Sequence, residues 1–120
     1  MTLQLRLLSR FRLLGPDGTE IIVSSKKLQV LIAALAVAGG KPVARSELMT
    51  LLWSDRAQTQ ARNSLRQALT TLRQLTGTSD APAFNIDADW VSLNPQRVQS
   101  DAGQSWPATW GPVVWGPRRQ

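Results

Sequence analysis

The stretch from Ala61 to Leu75 constrains the fold of this chain more than any other part of it. With each residue turned about 100° from the last along a helix, Ala61, Leu65, Ala68, Leu69, Leu72 and Leu75 gather on one side. Asn63, Gln67, Thr70 and Gln74 face directly away from them. Arg62, Arg66 and Arg73 form a column on one flank, and Ser64 and Thr71 lie on the other. Such an apolar stripe must be covered by other elements. The polar side is equally selective. An ordinary surface helix mixes Glu and Lys for pairing one turn apart, yet no acid occurs between Arg56 and Thr76. What it presents instead is Arg, Asn, Gln, Ser and Thr, the side chains that hydrogen-bond base edges and phosphates.

Composition narrows the chemistry available around that helix. The 120 residues suit one domain, and an apolar fraction of 42% is enough to bury a core. Fourteen Lys and Arg against eight Asp and Glu give a net charge of +6, which fits a polyanionic partner and equally fits simple solubility. There is no Cys, His or Tyr. That excludes disulfides and thiolate metal sites, and it removes the commonest general base and metal ligand. The carboxylates are scattered, and Asp87 and Asp89, two apart, read as turn residues. An enzyme, a cofactor or a metal site is therefore not expected. No run approaches the roughly 18 apolar residues of a membrane span, and the opening residues lack the apolar region of a signal peptide. A cytoplasmic protein without a membrane partner is the expectation.

The order of elements can be read along the chain. Leu3, Leu5 and Leu7, then Phe11 and Leu13, alternate with polar neighbours as half-buried antiparallel strands do. Gly15-Pro16-Asp17-Gly18 marks a turn, and Ile21-Ile22-Val23 a short third strand. Ser24-Ser25 caps a first helix with Leu28, Leu31, Ile32 and Leu35 inward. Gly39-Gly40 and Pro42 end that helix, and Lys26 and Lys27 at its start are within reach of a phosphate. A second helix spans about Arg45 to Leu52, with Leu48, Leu51 and Leu52 inward and Trp53 as a core anchor. Its cap position carries Ala44 where a hydroxyl would contribute on the order of 1 kcal/mol. Ser54-Asp55 leads into the third helix, which ends near Leu75 with Gly77 beyond. Phe84-Asn85-Ile86 and Trp90-Val91-Ser92-Leu93 flank Asp87-Ala88-Asp89 as a hairpin, and Val98 opens another brief strand. The expected fold is α+β: a winged helix-turn-helix with N-terminal antiparallel strands, three helices and a C-terminal hairpin wing over residues 1–101.

Trp53-Ser54-Asp55, the run Ala61-Arg62-Asn63-Ser64-Leu65-Arg66-Gln67-Ala68-Leu69, and Leu72-Arg73 resemble the second and third helices of the Streptomyces antibiotic regulatory protein type of transcriptional activator. The DNA-binding domain of that family is OmpR/PhoB-like. The opening Leu-Arg-Leu-Leu strand, the Gly15–Gly18 turn, Lys26-Lys27-Leu28 and Leu93-Asn94-Pro95 are similar to it as well. The likeness runs from about Leu3 to Asp101, and the Ala-Arg-Asn-Ser-Leu-Arg-Gln run is its most specific part. The resemblance implies binding to double-stranded DNA at promoter direct repeats, self-association on tandem copies, and recruitment of RNA polymerase. By position it implies that Asn63, Ser64, Gln67, Thr70 and Thr71 read the groove, with Arg62, Arg66 and Arg73 on phosphates or guanine; Gln74 joins them from the wheel.

Three features depart from the family pattern: Ala44 at the cap, an acidic wing tip at Asp87 and Asp89, and the residues after Asp101. Where the family continues into a helical activation domain, residues 102–120 are rich in Gly, Pro and Trp, and their prolines exclude a continuous helix. This segment is expected to stand outside the core as a poorly ordered tail. The acidic tip and the missing activation domain leave a second reading open, a winged helix that binds RNA polymerase or a regulator partner with little DNA affinity.

Overall fold

The computed structural model describes residues 2–7, 11–15, 17–77 and 82–101. The 102–120 segment, with Trp106, Trp110 and Trp115, lies outside the described residues, as do Pro16 and most of the loop before Pro82. Strand β1 (Leu3–Arg6) alternates buried and exposed residues as its Leu-Gln-Leu-Arg sequence requires. It pairs antiparallel with β2 (Arg12–Leu14), with Leu5 opposite Leu13. The turn after β2 closes when Gly15 N–H donates to Thr19 O at 2.8 Å and Thr19 N–H to Asp17 Oδ1 at 3.0 Å.

Strand β3 (Glu20–Ile21) is shorter than the Ile21–Val23 strand expected from sequence. Its partner β2 offers only Leu13 and Leu14 for pairing. Beyond Ile21 the chain bends toward its first helix, leaving Ile22 69% exposed while Val23 enters the core.

Helix α1 (Lys26–Val37) starts where Ser25 Oγ accepts from Leu28 N–H at 3.2 Å. Leu28, Leu31, Ile32 and Leu35 are all buried, as their spacing demands. Gly40, at φ +95°, carries the chain away from the helix, and a Cβ there would stand 3.1 Å from the Pro95 ring. Both the backbone sign and the close approach require glycine.

Strand β4 (Val43–Ala44) leads directly into α2 (Arg45–Trp53). Ala44 provides no capping oxygen, but its N–H donates to Glu47 Oε1 at 3.4 Å, so half of a capping box survives. Helix α3 spans Gln58–Thr76 and ends at Gly77 with φ 79°. Ser54 and Asp55 do not enter α3. Ser54 caps the C-terminus of α2, and Arg56 N–H closes the turn on Trp53 O at 3.1 Å.

Strands β5 (Phe84–Ile86) and β6 (Trp90–Leu93) form the expected hairpin, and β4 adds to its other side to give the order β4-β6-β5. The last strand, β7 (Val98–Ser100), returns to lie parallel to β1, so the first sheet runs β3-β2-β1-β7. Leu7 N–H donating to Asp101 Oδ1 at 2.8 Å fastens that closure. In the core, Leu31, Ile32 and Leu35 of α1, Leu48 of α2, Leu65 and Leu72 of α3 and Val91 of β6 are essentially inaccessible. Three helices, an N-terminal sheet and a C-terminal hairpin in this order make a winged helix-turn-helix.

Candidate nucleic-acid interface

Helix α3 supplies the candidate surface because its buried side is complete and its outer side is unoccupied by other elements. Ala61, Leu65, Leu69 and Leu72 are buried, and Ala68 and Leu75 are half-buried against the core. At 1.5 Å per residue its 19 residues extend about 28 Å, long enough to lie across a major groove. Of the nine sequence-predicted site residues, Arg62, Asn63, Arg66, Gln67, Thr70, Thr71, Arg73 and Gln74 are exposed.

Ser64 differs. It is half-buried, and its Oγ accepts a hydrogen bond from an Arg56 terminal nitrogen at 3.0 Å. Thr70 and Thr71 donate their hydroxyl protons to the carbonyls of Arg66 and Gln67, at 3.0 and 3.1 Å. Each therefore keeps a methyl group and an acceptor for a ligand.

The surface divides around the helix axis. Asn63, Ser64, Arg66, Gln67, Thr70 and Thr71 share a shallow depression of about 540 Å³ with Arg56 and Gln60. On the side toward the hairpin, Arg66, Thr70 and Arg73 meet Arg45 and Ile86. Toward α1, Ser64, Gln67 and Thr71 adjoin Lys27, Trp53 and Arg56. Arg62 and Gln74 are exposed on α3 but line none of these depressions.

Two arginines of this surface, Arg45 and Arg56, were not among the site residues expected from sequence. Arg45 donates from Nε to Asp87 O at 2.8 Å, and its own N–H donates to Asp89 O at 3.0 Å. It thereby ties the start of α2 to the wing tip through two backbone carbonyls. Arg56 lies in the turn before α3. Its place in the acid-free run was the available signal, but its approach to Ser64 depends on the turn geometry. Lys27, noted as near enough to touch a phosphate, bonds the Leu52 carbonyl and sits 5.7 Å over the Trp53 ring. Its ammonium thus caps the end of α2.

At the wing tip, Asp87 N–H donates to Trp90 O at 2.9 Å and Asp89 N–H to Asp87 Oδ1 at 3.4 Å, so the two acids do build a turn. Among the described residues no cluster of carboxylates could hold a metal ion, and no helix is long and apolar enough to cross a membrane.

Comparison with known proteins agrees with this architecture. No family model matches the chain. The transcriptional regulatory proteins EmbR of Mycobacterium bovis and Mycobacterium tuberculosis are each 33% identical to it over 72 residues, 56% of this chain and 19% of theirs. The chain thus spans about a fifth of the length of these curated relatives. The solved structure of Mycobacterium tuberculosis EmbR in complex with a low-affinity phosphopeptide superposes with a TM-score of 0.64 at 22% identity, over 80% of this chain and 26% of that one. At that identity the likeness speaks for the fold, which is the winged helix.

Proposed function

We propose that this chain is a sequence-specific, double-stranded DNA-binding module for transcriptional regulation, with α3 in the major groove. The observation that carries the reading is the exposed face of α3, where Asn63, Arg66, Gln67 and Thr70 stand together without an acid on their helix. Asn and Gln match the donor–acceptor pair on adenine, Arg matches guanine, and threonine methyls suit thymine. Resemblance to the Streptomyces antibiotic regulatory protein family and similarity to part of a transcriptional regulator support the same reading. Under it, the sites are promoter direct repeats, copies of the chain sit in tandem, and RNA polymerase is a further partner.

Selection of binding sites from a random duplex pool tests the proposal. An enriched direct repeat is the expected result. Asn63→Ala or Arg66→Ala then weakens binding to that repeat by about 1–3 kcal/mol and relaxes the preference at one position each. No enrichment, together with affinity indifferent to salt, would sink it.

A second reading, a protein-interaction winged helix, is favoured by one observation, the acidic tip at Asp87 and Asp89 that phosphate would repel. It requires capture of RNA polymerase or a regulator partner by a chain that shifts no duplex.

A further inference from the structure

We infer that Arg56 and Arg45 clamp the two phosphate backbones on either side of α3, and that Ser64 positions Arg56 instead of reading a base. The inference rests on the reading of α3 as the groove helix. Ser64 and Arg66, two residues apart on α3, point about 200° apart around its axis. Arg56 is held at the first, through the 3.0 Å bond to Ser64 Oγ. Arg45 lies against the second, sharing a depression with Arg66, Thr70 and Arg73. The two guanidiniums therefore flank the helix on opposite sides.

A helix with side chains is roughly 10–12 Å across and the major groove about 12 Å wide. The helix thus fills the groove, and whatever projects from its two flanks meets the two phosphate ridges. Each arginine comes from an element other than α3, so its position does not depend on the rotamers of the reading side chains. Each is also tied down before any ligand arrives, Arg56 by Ser64 Oγ and Arg45 by the carbonyl of Asp87. A guanidinium has five N–H donors in a fixed fork. One is spent on the anchor in each case, and the remaining donors suit a phosphate oxygen pair.

Ser64 has the opposite standing. It is half-buried and its oxygen already accepts from Arg56, which leaves it poorly placed to reach a base edge. Its effect on binding then passes through Arg56.

The test uses the full chain and a random-sequence duplex, with affinity measured across a salt series. Arg56→Gln and Arg45→Gln keep a donor for the anchor and remove the charge. Each should make the log–log salt slope shallower by about 0.9, and the double variant by about twice that. The motif selected from a random pool should be unchanged in all three. Ser64→Ala should weaken binding in the Arg56 protein and have no further effect in Arg56→Gln. Ser64→Thr, which retains the hydroxyl, should restore wild-type affinity. Thermal melts of each variant establish that it is folded. Unchanged slopes in folded variants, or a selected motif altered at one position by Ser64→Ala, would overturn the clamp while the groove reading stands. A wild-type chain that binds no duplex removes both.

Discussion

Ala57 occupies the N-cap of α3 with φ −61° and ψ 151°, the extended backbone that capping residues adopt, yet it has no side-chain oxygen to offer. The first amides of the helix carry part of the positive end of its dipole. A serine there would accept from the N–H of Gln60 or its neighbour without altering charge near the proposed interface. Ala57→Ser is expected to stabilise the chain by about 1 kcal/mol, seen as a higher denaturant midpoint at unchanged m-value. Arg56 and Ser64 make a different point at the same scale. The acid-free run contains both, but residues eight apart on two elements come together only through the turn that Arg56 N–H closes on Trp53 O. No periodicity encodes that turn, so the pairing was not legible in the sequence.

At the scale of elements, periodicity was a reliable guide because one face of each long helix must meet the core. The buried set of α3, Ala61, Leu65, Leu69 and Leu72, is four of the six residues of the apolar stripe read from sequence, with Ala68 and Leu75 half-buried beside them, and Ser25 caps α1 where the serines stand. Short strands were less legible. β4 is two residues long and exists because Val43 and Ala44 find Val91 and Trp90 beside them. β7 pairs with β1 across nearly the whole chain, with Leu3 opposite Val98, and a local pattern carries no information on such a partner. The two faces of α3 should separate cleanly in experiment. Leu65→Ala is expected to cost about 2–5 kcal/mol of stability through the cavity it leaves. Gln67→Ala, on the exposed side, should stay within about 0.5 kcal/mol in unfolding while reducing affinity for a selected duplex. Denaturation and gel-shift titration of the pair check this, and the expectation fails if Gln67→Ala unfolds the chain or leaves binding intact.

For the molecule as a whole, no side chain of a type that ordinarily titrates near neutrality is present. There is no His, Cys or Tyr among the 120 residues. The basic groups on and around α3 are Arg45, Arg56, Arg62, Arg66 and Arg73, with Lys27 on the side toward α1. At Asp17, the Thr19 backbone N–H and then its side-chain hydroxyl hold the carboxyl below its ordinary value of 3.8. Because that folded-state value is depressed, its contribution to stability is present above the unfolded value and is lost only as pH falls through the lower one. Duplex affinity at constant ionic strength should therefore change by less than about twofold between roughly pH 6 and 9, whereas raising salt over the same duplex should weaken it steeply. Fluorescence titrations at several pH values and fixed salt measure this. A change of about tenfold across that window would mean that a group with a strongly shifted pKa titrates in the complex. A flat profile is what a contact surface built from α3 and its flanking arginines requires.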